Sequence, residues 1–110
     1  MDIQLKKGFL EVCVLALLRN NDLYGYKVIK YISEYVKISE STLYPILKRL
    51  ESSGCLISYT QEHNTRIRRY YKITDKGKKR ILDFLESKEE IMRIYNLIEG
   101  EKGIVDNIEC

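Results

Sequence analysis

A predicted helix near the N-terminus is apolar on almost every face. Residues 5–19 include Phe9, Leu10, Val12, Cys13, Val14, Leu15, Ala16, Leu17 and Leu18. A helix that is apolar all round must be covered on more than one side. We therefore expect this helix at the centre of the fold, with other elements packed around it.

Two amphipathic helices are predicted next, after a turn at residues 20–22. Residues 24–36 carry apolar side chains three and four positions apart. A third helix can be capped by Ser39 or Ser41 and ended by Gly54. Its apolar stripe consists of Leu43, Ile46, Leu47 and Leu50. If Ser41 is the cap, Pro45 is the fourth helical residue, which predicts a kink or a delayed helix start.

A β-hairpin and a last helix are predicted after the three helices. Residues 55–61 and 67–74 are rich in β-branched and aromatic side chains, and His63, Asn64 and Thr65 between them suit a turn. Thr74 or Asp75 can cap a final helix that runs to about residue 98. The fold class is therefore mainly α with a small β-hairpin.

Charge is distributed unevenly along the chain. The net charge is only +3, but residues 63–80 contain eight Lys or Arg and one Asp, whereas residues 81–110 contain three basic and eight acidic side chains. A basic island next to an acidic segment indicates a polyanionic partner for one part of the surface. Taken alone, the island is equally compatible with an ordinary solvated hairpin.

Three helices followed by a basic hairpin are the element order of a winged helix-turn-helix, in which the third helix reads DNA and the hairpin, or wing, lies along it. The third helix presents a polar face opposite its apolar stripe, and the wing carries a cluster of cations. The helix face consists of Ser41, Thr42, Tyr44, Pro45, Lys48 and Arg49, and the wing cations are Arg66, Arg68, Arg69 and Lys72. Strand alternation puts Arg68 and Lys72 on one face of the wing and Arg69 on the other, so at least one cation should be structural.

The last helix carries a heptad seam that predicts a homodimer. Its members are Ile81, Phe84, Lys88, Ile91, Tyr95 and Ile98. A terminal helix this apolar has little of its own domain left to cover it, so a second copy of the chain is the expected partner.

Three segments in the same order resemble the PadR family of bacterial transcriptional regulators. They are LYGYKVI from Leu23, STLYPILKRLESSG from Ser41 and RRYYKITDKG from Arg68. The resemblance covers roughly residues 5–98. It implies a dimer formed through the first and last helices, Phe9 and Val12 included, that binds a roughly palindromic operator and usually represses transcription.

The resemblance also implies roles for individual residues. Tyr24 and Tyr26, at the start of the second helix, fall on DNA-contacting positions of the family, as do the wing cations. The third helix contributes Ser41, Thr42, Tyr44, Pro45 and Lys48 to the same set. Gly25 corresponds to a tight approach of helix to backbone, and Tyr70 and Tyr71 to packing positions. Some relatives stack a ligand on a tryptophan of the last helix, but this chain has no Trp and places Lys88 there.

These observations predict one domain organisation and one function, that of a homodimeric DNA-binding transcriptional regulator, with an open alternative. We expect the DNA-binding domain at 1–75 (wing about 55–74), a dimerisation helix at 76–100 and a loose acidic tail at 101–110. The alternative is a winged-helix module for protein association or for DNA maintenance without operator control. An effector between the two subunits, near Tyr95 or Phe9, also stays open.

Other classes of protein find little support in the sequence. One histidine and three scattered cysteines (Cys13, Cys55 and Cys110) predict no metal, cofactor or disulfide framework. No pattern of catalytic residues predicts an enzyme. The sequence shows neither a signal peptide nor a membrane span, so we expect a cytoplasmic bacterial protein.

Overall fold

The computed structural model describes residues 3–100, with side chains from Gly8 onward. It contains α1 (Ile3–Leu17), β1 (Leu23–Tyr24), α2 (Gly25–Ile32), α3 (Glu40–Ser52), β2 (Leu56–His63), β3 (Arg66–Ile73), α4 (Asp75–Glu86) and α5 (Lys88–Glu99). The predicted fold class is confirmed: the chain is mainly helical, with a winged helix-turn-helix and a small hairpin. The predicted tail at 101–110, including Cys110, lies outside the described residues.

Helix α1 lies at the centre of the fold, as its apolar character predicted. It packs against α2, α3 and α4. Leu10, Val14 and Leu15 of this helix, and Leu18 directly after it, are each at most 3% exposed. Full burial of a side chain of this size contributes about 1.5–3 kcal/mol relative to exposure, so this helix anchors the other three.

Helix α3 begins earlier than the expectation based on Ser41. Ser39 occupies the N-cap position with an extended backbone, and Glu40 is the first helical residue. The predicted delayed start is therefore wrong: Pro45 is the sixth residue of a helix that continues to Ser52. Proline has no N–H, so the carbonyl of Ser41 loses its usual helical donor. Gly54 lies just after the C-cap residue Ser53, and its φ of +82° is the left-handed conformation predicted for it.

The hairpin belongs to a three-stranded antiparallel sheet of order β1-β3-β2. Strands β2 and β3 pair from Leu56 opposite Ile73 to His63 opposite Arg66, and Asn64 and Thr65 form the turn. Strand β1 pairs Leu23 with Tyr71 and Tyr24 with Tyr70. This short strand was not predicted because two residues are too few to show alternation. It attaches the base of the wing to the start of α2.

The predicted last helix is divided in two at Ser87. Thr74 caps α4 by accepting a hydrogen bond from the amide of Gly77 at 3.2 Å. Ile81 is 3% exposed and belongs to the core of this chain, so its assignment to the dimer seam is wrong. Its predicted seam neighbour Phe84 packs edge-on against Phe9 of α1, with ring centroids 5.3 Å apart.

Two negative findings hold for the described part of the chain. Across residues 3–100, none of the helices has the length and apolar character that a membrane crossing requires. Over the same residues, His, Cys, Asp and Glu side chains form no group of three that could bind a metal ion.

Candidate DNA interface

Helix α3 separates an apolar face from a polar one. Leu43, Ile46, Leu47 and Leu50 are at most 2% exposed and anchor the helix in the core. Five of the six residues predicted to face DNA are exposed: Ser41, Thr42, Tyr44, Pro45 and Lys48. Hydroxyl and ammonium groups on one helical face are suited to hydrogen bonding with base edges and phosphates.

Three hydroxyls form a cluster at the N-terminal end of α3. The Oγ of Ser39 lies 2.8 Å from the Oγ of Ser41 and 3.2 Å from the Oγ1 of Thr42. The side chain of Ser39 makes no capping bond to a backbone amide. The first turn therefore presents three hydroxyls that can donate to a phosphate oxygen, together with the exposed carboxylate of Glu40.

Tyr44 connects α3 to the start of α2 through a close contact with Gly25. A Cβ atom at Gly25 would lie 2.8 Å from the Oη of Tyr44 and 2.9 Å from its Cε1. The family resemblance implied an approach to backbone at Gly25, but the structure places the side chain of Tyr44 there instead. Beside this contact is an open groove of about 200 Å³ lined by Tyr24, Gly25, Tyr26, Tyr44, Arg68, Arg69 and Tyr71.

Aromatic stacking fixes the outer face of the wing against β1. The guanidinium of Arg68 lies 4.4 Å from the ring centroid of Tyr24. Tyr70 packs edge-on against Tyr24 at 5.5 Å and stacks on Tyr59 at 5.6 Å. The Tyr59 hydroxyl donates to Asp22 at 2.7 Å, and this hydrogen bond raises the pKa of Tyr59. Tyr70 and Tyr71, the latter 7% exposed, are packing residues.

The wing cations divide between the two faces, as strand alternation predicted. Arg69 lies on the inner face, donates to the Oγ of Ser58 at 2.9 Å and forms an ion pair with Glu51 of α3 at 3.5 Å. Ser58 also donates to Glu51. Arg66 and Lys72 are exposed on the outer face with Arg68. Arg69 is therefore the cation of this cluster with a structural role.

Arg49 lies differently from the other residues of the predicted α3 face. Its Nε donates to the Oε1 of Glu11 in α1 at 2.9 Å. Its Nη2 is buried and has no hydrogen-bond partner among the side chains described. The structure thus directs the guanidinium of Arg49 toward α1, and we omit it from the interface proposed below.

Glu11 forms a second ion pair that sequence reasoning missed. Its Oε2 accepts a hydrogen bond from the Nη2 of Arg80 in α4 at 2.6 Å, and its side chain is only 13% exposed. Burial alone would raise the pKa of Glu11, but the hydrogen bonds from Arg80 and Arg49 lower it below its ordinary value. A signal was present in the sequence, because Glu11 is the only charged residue from Gly8 to Leu18.

The residues predicted to form the dimer seam differ widely in exposure. Phe9, Val12 and Phe84 are half-buried, while Lys88, Ile91, Tyr95 and Ile98 are exposed. Helix α5 contains no buried side chain. Its exposed large apolar residues are Ile91, Met92, Ile94, Tyr95, Leu97 and Ile98. An apolar surface of this extent is typical of an interaction site.

Comparison with known proteins identifies the family. Residues 14–83 match the profile of the transcriptional regulator PadR-like family. The chain is 32% identical over 81 residues to the negative transcriptional regulator PadR of Bacillus subtilis, which covers 69% of this chain but only 44% of that protein. The sequence thus spans less than half the length of this relative.

Solved structures agree with that match. A transcriptional regulator from Clostridium thermocellum superposes with a TM-score of 0.76 at 35% identity, covering 84% of this chain and 95% of the other. Bacillus subtilis PadR in complex with operator DNA superposes with a TM-score of 0.65 at 30% identity, covering 70% of this chain and 46% of the other. The chain belongs to the PadR-like family of transcriptional regulators.

Proposed function

We propose that this protein is a sequence-specific DNA-binding repressor that binds a palindromic operator as a homodimer. The observation that carries the proposal is the exposed polar face of α3 beside the cationic wing. The apolar face of the same helix is buried in the core, so the polar face is free to enter a major groove. The alternative, a module for protein association, would be better served by an apolar exposed face.

Each part of this surface has its own role in the proposal. Ser41, Thr42 and Tyr44 contact base edges and supply the choice of sequence, while Lys48 contacts phosphate. Tyr24, Tyr26 and Arg68 bind the flanking backbone at the groove beside Gly25. Pro45 is proposed to contact the wall of the DNA groove. Arg66 and Lys72 are proposed to contact the DNA that lies along the wing.

The homodimer is proposed from the exposed apolar surface of α5. Its burial against a second copy would bring two α3 helices to one side of a two-fold assembly, where they would read half-sites about 10 base pairs apart. Repression and operator binding, as distinct from the dimer, are proposed from two relatives, of which one is named a negative regulator and one was solved with operator DNA. An effector near Tyr95 would bind between the two copies.

The proposal is tested by separating sequence choice from general affinity for DNA. Thr42→Ala should lose discrimination between an operator, selected from random DNA, and scrambled DNA by about 1–3 kcal/mol. Arg68→Ala should weaken binding to both DNAs about equally and reduce the slope of log affinity against log salt by about 0.9. Fluorescence anisotropy titrations at several salt concentrations measure both effects.

Two outcomes would contradict this division of roles. One is an identical profile for the two variants, and the other is a wild-type protein that binds operator and scrambled DNA with equal affinity. Ser33→Ala provides a control, because Ser33 is exposed at the far end of α2, where its hydroxyl donates only to the carbonyl of Ile29. This variant should bind both DNAs as the wild type does.

A further inference from the structure

The ion-paired group formed by Glu11, Arg49 and Arg80 connects three helices of different roles. Glu11 lies on the central helix α1, Arg49 on the helix proposed to read DNA, and Arg80 on α4, which leads into the apolar helix α5. The two carboxylate oxygens of Glu11 are divided between the two guanidinium groups, at 2.9 Å and 2.6 Å. One carboxylate thus contacts both the DNA-reading part and the dimerising part of the chain.

The geometry of this group is directional in a way that apolar packing is not. Charge-assisted hydrogen bonds between a carboxylate and guanidinium groups require a defined distance and angle, whereas dispersion contacts between apolar side chains have no preferred direction. Glu11 is also mostly buried, so losing one partner would leave a charge poorly compensated. The edge-on contact of Phe9 with Phe84 holds α4 against α1 two residues before Glu11 on the same helix.

We infer that Glu11 is a positioning residue that fixes the recognition helix α3 relative to the dimerisation helices through Arg49 and Arg80. In a homodimer, the angle between α3 and the dimerisation helices sets the distance and rotation between the two α3 helices. It therefore sets the half-site spacing that the protein accepts. The inference rests on the proposed function. Glu11 then affects the half-site spacing that the protein accepts and not the bases that α3 contacts.

The test uses the selected operator and a series of operators with one or two base pairs inserted or removed at the centre. Each base pair rotates the half-sites by roughly 35° relative to each other. The wild-type protein should bind the altered spacings on the order of tenfold more weakly than the selected one. Glu11→Gln keeps the shape of the side chain and removes its charge, and should reduce this penalty to about threefold or less.

Glu51→Gln is the matched control. Glu51 is also a partly buried carboxylate that pairs with an arginine, but its partners Arg69 and Ser58 lie on the wing and not on α4. This variant should retain the spacing penalty of the wild type even if its stability falls. Urea unfolding and sedimentation of each variant report stability and dimerisation separately, so loss of stability cannot be mistaken for loss of spacing selectivity.

The outcomes separate this inference from the proposed function. If the wild type selects no operator, or binds all spacings equally, the proposed function fails. If the wild type is selective and Glu11→Gln is equally selective, or monomeric, or if Glu51→Gln loses selectivity as much, the positioning role is overturned. Should Glu11→Gln fail to fold, Arg80→Met replaces it in the same spacing measurement, because this variant removes the ion pair to α4 and keeps an apolar side chain in its place. An Arg80→Met protein with the spacing penalty of the wild type would overturn the positioning role.

Discussion

At the scale of single residues, the close contact between Gly25 and Tyr44 decides how the reading helix is placed against α2. The ring of Tyr44 occupies the space that a side chain at position 25 would need. Tyr44 is also 44% exposed, so it contacts α2 on one side and is free on the other. A side chain added at Gly25 should therefore displace the Tyr44 ring within the proposed DNA interface.

Gly25→Ala is expected to destabilise the fold by at most about 1 kcal/mol, because the atoms that its Cβ would meet belong to the end of the half-exposed Tyr44 side chain, which can turn away. It should also weaken operator binding, because the Tyr44 ring must move. Gly8→Ala is the matched control. Gly8 lies within α1, its Cβ position has no contact within 4 Å to the described residues outside its own turn of helix, and helix propensity predicts a gain of about 0.5–1 kcal/mol. Urea unfolding and operator titration measure both variants, and unchanged operator binding by Gly25→Ala would contradict the assigned role of Tyr44.

Much of the residue-level site could be predicted because helical periodicity determines which side chains face outward. The apolar stripe of α3 fixed the exposure of Ser41, Thr42 and Lys48 on the opposite face. Arg49 was misplaced because its partner Glu11 is 38 positions away in the sequence. Periodicity places a side chain on a face of its own helix but says nothing about which other helix covers that face.

At the scale of elements, the tip of the wing has an unusual backbone. Asn64 and Thr65 both have positive φ angles, of 50° and 65°. Two positive φ values are the requirement of the tight two-residue hairpin turn, for which Asn-Gly is the favoured pair. Asn tolerates this region well, whereas a β-branched threonine adopts it at a cost.

Thr65→Gly is expected to raise the free energy of unfolding by about 0.5–1 kcal/mol, since the left-handed conformation costs glycine nothing, while its extra freedom in the unfolded chain offsets part of the gain. Asn64→Gly should change stability less, because asparagine already tolerates the region. Urea unfolding of the two variants makes the comparison. A destabilised Thr65→Gly variant would mean that the threonine side chain makes a contact worth more than the backbone cost.

The elements themselves were largely predictable, and their exceptions have simple causes. The apolar helix α1, the amphipathic α3 and the hairpin each carry a long periodic signal. Strand β1 has only two residues, too few to show the alternation of apolar and polar side chains that indicates a strand. No glycine or proline marks the break at Ser87 in the sequence. The backbone of Ser87 also stays in the right-handed helical region. Ile81 satisfies the heptad spacing, but α4 turns that position toward α1.

At the scale of the whole molecule, the chain extends an apolar helix away from its own core. Ile98, near the end of α5, is 77% exposed. We propose that this surface is covered by a second copy. Operator binding through two recognition helices then depends on α5, although α5 lies outside the proposed DNA interface.

Ile98→Asp is expected to shift the chain from dimer to monomer, because it introduces a charge where the proposed interface is apolar. Operator affinity should fall with it. Ile67→Asp is a control of equal exposure, 77%, located on the wing, and should leave the dimer intact. Sedimentation velocity measures the change, and a dimeric Ile98→Asp protein would remove α5 from the interface.

We propose that two copies of the polar α3 face bind duplex DNA symmetrically. Selection of bound sequences from random DNA, followed by sequencing, shows whether they do. The expected result is an enriched inverted repeat whose half-sites lie about 10 base pairs apart and whose enrichment is lost in Thr42→Ala. Sequences without enrichment, or a single half-site without its inverted copy, would contradict the claim.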